Sequence, residues 1–156
     1  MRTHTLQKQC LHLAFYKGRE TWVAKLICLL TRSPYSHCEL VFRDGMSFGI
    51  KNPTDKTTFF QMTYPVDKWD LIPLTWITAE QETCIRHFCQ QTTQSKYDIW
   101  AMLLGWWCPA SDNPNKWFCS ELCTRVLLPY TPSLRDKWYS PGSLYAALRT
   151  SSVFRA

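Results

Sequence analysis

The sequence predicts an α+β fold built around an antiparallel sheet, and three observations carry that reading. Strand-forming segments follow one another over residues 10–71, with a hairpin turn between two of them. Segments with the 3.6-residue spacing of amphipathic helices interrupt and follow them, most opened by a residue suited to capping. At 156 residues, 46% hydrophobic and 15% aromatic, the chain can bury a full core as one domain over residues 1–156.

Cys10 to Phe15 has roughly alternating bulky apolar positions and ends at Lys17-Gly18, which suits a short strand and a turn. Thr21 can cap a first helix, where Trp22, Val23, Leu26, Ile27, Leu29 and Leu30 recur at helical spacing until Ser33-Pro34 stops it. Its apolar stripe is expected to lie on the sheet. His37 to Phe42 are strand formers, Arg43-Asp44-Gly45 reads as a hairpin turn, and Met46 to Lys51 form the returning strand. Thr57 to Thr63 and Lys68 to Leu71 continue the meander, with Pro53, Pro65 and Pro73 marking breaks or edges.

Thr78-Ala79-Glu80-Gln81 has the form of a capping box, opening a helix that turns Ile85 and Phe88 inward, together with Cys84 and Cys89. Tyr97 to Trp107 is strongly apolar and reads as a buried helix. Residues 108–115 then form a polar, proline-bearing loop of the kind that rims a site. A further helix is expected from Cys119 to about Leu128, ending before Pro129. Ser140 and Pro141 supply the N-cap and first position of a last helix bearing Leu144, Ala147 and Leu148.

The net charge of +6 is uneven, because Arg2, Lys8, Lys17, Arg19, Lys25 and Arg32 face only Glu20 over the first 32 residues. Such an end can meet an anionic polymer or surface, although no Lys/Arg block is dense enough to specify nucleic acid. The longest apolar run, Ile99 to Ala110, falls short of the ~20 residues that span a bilayer. Most of the eight cysteines sit in apolar runs with no secretory segment ahead of them, so a reducing, cytoplasmic setting is expected. The sequence has no Cys-x-x-Cys pair and no glycine-rich phosphate loop, which argues against structural zinc and nucleotide cofactors. No metal or cofactor is expected.

Cys119 stands where a loop turns into a helix. A thiol near pKa ~8.5 becomes a nucleophile at neutral pH when a helix dipole and a nearby imidazolium lower it to about 3.5–7.5. Cys123, one turn on, lacks that position and is read as packing, as are Cys10, Cys28, Cys84 and Cys89. Of four histidines, His4 lies in a segment expected to fray, His12 in the first strand and His87 in a helix of mixed neighbours. Only His37 has a carboxylate two residues on. Residues i and i+2 of a strand share a face, so Glu39 can hold the His37 imidazole or fix its tautomer. A thiol, a base and an orienting acid make the inventory of a cysteine hydrolase.

Ser36-His37-Cys38-Glu39-Leu40-Val41-Phe42, Lys96-Tyr97-Asp98 with Leu103-Leu104-Gly105, Lys116-Trp117-Phe118-Cys119-Ser120-Glu121-Leu122 and Ser140-Pro141-Gly142-Ser143-Leu144 resemble, in order, the circularly permuted papain-like hydrolases of the NlpC type, YiiX-like branch. The resemblance spans about residues 10–149. It implies a sheet or small barrel with helices packed on it, Cys119 as nucleophile, His37 as base and Glu39 at an acidic position. It leaves Ser47, Asn52 or a backbone carbonyl as other orienters, and makes Tyr97 a candidate for lining the cleft or oxyanion hole. Members of the family are associated with amide bonds of peptidoglycan peptides, related branches with lipid acyl chains, and bacteriophage and viral genomes carry them.

Three function classes fit these residues. One is a peptidase or amidase acting on peptidoglycan-like or other peptides. A second is a thioester-forming acyltransferase or lipase, with Trp100, Trp106 and Trp107 as an interfacial patch. The third is a non-catalytic module, such as a virion component, that keeps the fold.

Overall fold

The computed structural model describes residues 2–6, 9–50, 56–97 and 116–150. Five strands, β1 (Leu11–Tyr16), β2 (His37–Val41), β3 (Met46–Gly49), β4 (Thr58–Gln61) and β5 (Trp69–Leu74), pair antiparallel in the order β4-β3-β2-β1-β5. The chain is thus α+β, with helices α1 (Trp22–Thr31), α2 (Ala79–Gln91), α3 (Cys119–Leu127) and α4 (Pro141–Arg149) among the described residues. Gly45 at φ 83° closes the β2–β3 hairpin, and Met46 N–H donates to the Asp44 carboxylate. Pro73 lies inside β5 without breaking it, because β5 is an edge strand where a missing N–H leaves no ladder bond unmade.

Side chains of a strand alternate between its two faces. One face presents Leu11, Leu13, Phe15, Cys38, Leu40, Phe48, Ile72 and Leu74 to a core completed by Ile85 and Cys89 of α2, Leu122, Cys123 and Val126 of α3, and Leu144 and Leu148 of α4. Each such large apolar side chain contributes about 1.5–3 kcal/mol by leaving water. The other face carries a smaller cluster of Ala14, Val41, Tyr64 and Trp69. The two faces therefore assign His37 and Glu39 to one side, and Cys38 and Leu40 to the side that α3 covers.

The expected capping box of α2 is present, with Thr78 Oγ1 accepting from Gln81 N–H and Gln81 Oε1 from Thr78 N–H. Ser140 caps α4 as expected. Three local expectations are corrected. The apolar side of α1 does not lie on the sheet: Val23 and Ile27 pack with Phe118 and Trp138, just ahead of and beyond α3, while Trp22 and Leu29 remain exposed. Cys84 is exposed rather than inward, because the inner positions of α2 go to Glu82, Ile85 and Cys89. Glu82 is buried since Arg43 binds it through both its backbone N–H (3.0 Å) and Nε (2.6 Å). Nor is the His4 segment loose: His4 N–H donates to the Tyr64 carbonyl and its Nε2 lies 2.7 Å from the Trp69 carbonyl oxygen.

The approach to Cys119 is a short parallel pair, β6 (Lys96–Tyr97) with β7 (Lys116–Trp117). The helix expected over Tyr97 to Trp107, the loop over 108–115, the tryptophans 100, 106 and 107, and Asn52 lie outside the described residues, Tyr97 itself being placed in β6.

Candidate active site

Cys119 is the first residue of α3, and the residue before it, Phe118, has no side-chain acceptor with which to cap the helix. Cys119 therefore stands at the positive end of the α3 dipole, which favours a negative charge there. Glu121 reaches back to Phe118 N–H at 3.5 Å, fixing the entry of the chain. Ser120 donates to the Tyr139 carbonyl at 2.6 Å and Thr124 to the Ser120 carbonyl at 2.7 Å, so the helix start is bound to the segment leading into α4.

His37 opens β2, at the end of the strand that the α3 N-terminus reaches. Its Nε2 lies 3.4 Å from Glu39 Oε2, an ion-pair separation without hydrogen-bond geometry. On the thiol side the ring interacts with Cys119, which acts on it both by charge and by a hydrogen bond. Glu39 is almost fully buried and accepts a hydrogen bond from the Tyr64 hydroxyl, which also meets Ser47 Oγ at 2.5 Å. The result is a continuous line from thiol to imidazole to carboxylate to phenol. Ser47, weighed as an orienter of His37, contacts Tyr64 instead. Tyr97 enters through backbone pairing, opposite Trp117 and two residues ahead of Cys119.

The electrostatics follow from this geometry. Burial pulls His37 toward the neutral ring, but the Cys119 charge and hydrogen bond, and then Glu39, outweigh it and hold the imidazole up at about 10. Cys119 is held well below the ordinary thiol value. The hydrogen bond from the Cys38 thiol contributes most; burial opposes it, and the His37 charge, its hydrogen bond and the Cys38 backbone N–H add to it. Cys38 pays the converse: burial and its hydrogen bonds to Cys119 and Cys123 push its own thiol well up. The two shifts have the same sense, the thiol down and the imidazole up, and both favour the charged forms, thiolate beside imidazolium. Tyr64 is likewise pushed up, by burial first and then by Glu39, so it stays a donor to that carboxylate.

A cavity of about 600 Å³ opens beside the pair. His37 and Glu39 contribute polar lining, and Val23, Ala24, Ile27, Ile50, Phe60 and Trp69 supply mainly apolar walls. Along its edge Glu20 accepts from Tyr16 at 2.6 Å and pairs with Lys68 at 2.8 Å. Cys119 is only 2% exposed and the His37 side chain 21%, so the ring is the part of the pair that meets the cavity.

Cys119, His37 and Glu39, singled out from the sequence, are thus brought together. Two participants were not foreseen. Cys38 sits in an apolar run and has no part in the site as read from the sequence, yet as the residue between His37 and Glu39 it points to the opposite face, where α3 lies. Tyr64 carried no signal, since it lies 25 residues from Glu39 and arrives through the β4–β5 connection. Among the described residues no group of His, Cys, Asp or Glu could hold a metal ion, and seven described cysteines are free thiols. No protein-family model matches the chain, and no curated protein does either.

Proposed function

We propose that this chain is a cysteine hydrolase that cleaves an acyl bond through a thioester on Cys119, on a circularly permuted papain-like scaffold. The supporting observation is the placement of buried Cys119 at the start of α3 beside half-buried His37, where the thiol is shifted down and the imidazole up, each toward its charged form. In this reading the Cys119 thiolate attacks the carbonyl carbon and backbone N–H groups at the α3 start stabilise the oxyanion. The His37 imidazolium gives its proton to the leaving group as the carbon–leaving-group bond breaks. The neutral ring then takes a proton from water, which attacks the thioester and returns the thiolate. Glu39, fixed by Tyr64, keeps the ring oriented and offsets its charge throughout.

An amide of a peptide, including peptidoglycan-type peptides, is the substrate class proposed first. The mainly apolar cavity walls favour a second reading, an acyl chain of a lipid ester or amide. Both are tested by incubating the protein with muropeptides and with phospholipids and following products by mass spectrometry. Product from one class, with a covalent acyl-enzyme adduct mapped to Cys119, is the expected result. Turnover that survives Cys119→Ala would contradict the proposal.

A further inference from the structure

Helix α1 is apolar around most of its circumference, but only one side of it is covered. Val23, Ala24, Ile27 and Cys28 are buried, whereas Trp22 is 69%, Leu29 73% and Leu30 40% exposed. At 100° per residue Trp22 and Leu29 fall on one line along the outer face, with Leu30 on one flank and the exposed Lys25 and Arg32 on the other. The helix contains no acidic residue. Among the described residues Lys25, Arg32 and the preceding Arg19 have no carboxylate partner, although the neighbouring Lys17 and Lys68 are paired with Asp70 and Glu20.

We infer that the outer face of α1 is a docking surface for a membrane bearing anionic phospholipids. Large apolar side chains beside an unpaired basic flank suit that boundary, where tryptophan and leucine enter the headgroup layer and lysine and arginine reach the phosphates. A second copy of the chain fits the face poorly, because a symmetric contact would bring the cations of one α1 face near those of the other, and α1 has no acidic residue to meet them. Nucleic acid would satisfy the cations but leave the leucines against phosphate. The opposite side of α1 forms a wall of the cavity, so docking brings the cavity within about one helix diameter, 10–12 Å, of the lipid surface. The surface does not depend on the chemistry proposed for Cys119.

Vesicle flotation tests it, using phosphatidylcholine alone and phosphatidylcholine with phosphatidylserine. The protein is expected to float with the anionic vesicles only, and less as salt is raised. Lys25→Ala with Arg32→Ala should weaken partitioning about 30-fold, near fivefold per charge removed, and Trp22→Ala should weaken it separately. Arg125→Ala with Arg135→Ala removes the same charge elsewhere and should float like the native chain, as should Cys119→Ala. Absence of flotation overturns the inference, whether or not duplex DNA or a second copy binds through the same residues. An equal loss in the Arg125/Arg135 control also overturns it.

Discussion

The proposed reactive centre depends on a few groups, each with a distinct part. Cys38 supplies the largest influence lowering the Cys119 thiol, by a hydrogen bond made in the dry interior where such bonds to charge are strong. Cys38→Ala should therefore raise the Cys119 pKa and slow alkylation of that thiol at pH 6, while leaving it reactive in alkali. Thiol titration with peptide mapping checks this, and an unchanged pH profile would remove Cys38 from the account. Glu39→Gln keeps the shape but removes the charge facing His37. The alkaline limb of the activity profile should then move to lower pH, because the imidazolium loses one of the two partners that hold it up. A loss of rate with no shift in the limb would mean that Glu39 acts through packing alone.

Elements place these residues, and the placement was only partly legible in the sequence. Thr78, Ser140 and the Arg43-Asp44-Gly45 turn act locally, so each marks its boundary within a few residues of chain. The α1 packing was not legible, since periodicity shows that a helix has an apolar side but not which partner covers it. In α1 both sides are apolar, and Phe118 and Trp138 claim the Val23/Ile27 side. Glu82 defeats pattern reading for another reason: a carboxylate at an inner helix position looks wrong until Arg43 is brought to it from the hairpin. Glu82→Ala should lower stability by about 3 kcal/mol in urea unfolding, because it leaves the Arg43 guanidinium and backbone N–H without their acceptor. A loss below about 0.5 kcal/mol would show that solvent substitutes for the carboxylate.

For the whole molecule, the same ion pair links pH to stability. His37 is raised from 6.5 to about 10 in the folded chain, so its contribution is complete below about 6.5 and disappears as pH rises through 10. Cys119 is depressed, so its contribution is complete above the ordinary thiol range and is lost as pH falls through its folded value. The pair is accordingly favourable between those limits, and activity should follow a bell with its alkaline limb near 10. Urea unfolding from pH 8 to 11 should show the native chain losing more stability than Cys119→Ala, in which His37 no longer has its main partner. Parallel losses in the two proteins would mean that the pair is not ionised in the folded state.

The hydrolase inventory was legible in the sequence because a helix-start cysteine and a His-x-Glu strand are local signals. Their convergence was not, since it depends on β2 reaching the α3 N-terminus across 82 residues, and Tyr64 reaching Glu39 from a third segment.

The central claim is that Cys119 is a thiolate at neutral pH. Alkylation with iodoacetamide at pH 6, followed by peptide mapping, tests it most directly, because access favours a competitor: Cys84 is exposed, while Cys119 is 2% exposed. The account predicts that Cys119 is labelled first despite its burial. Labelling of Cys84 ahead of Cys119, or equal sluggishness among all the cysteines, would contradict it.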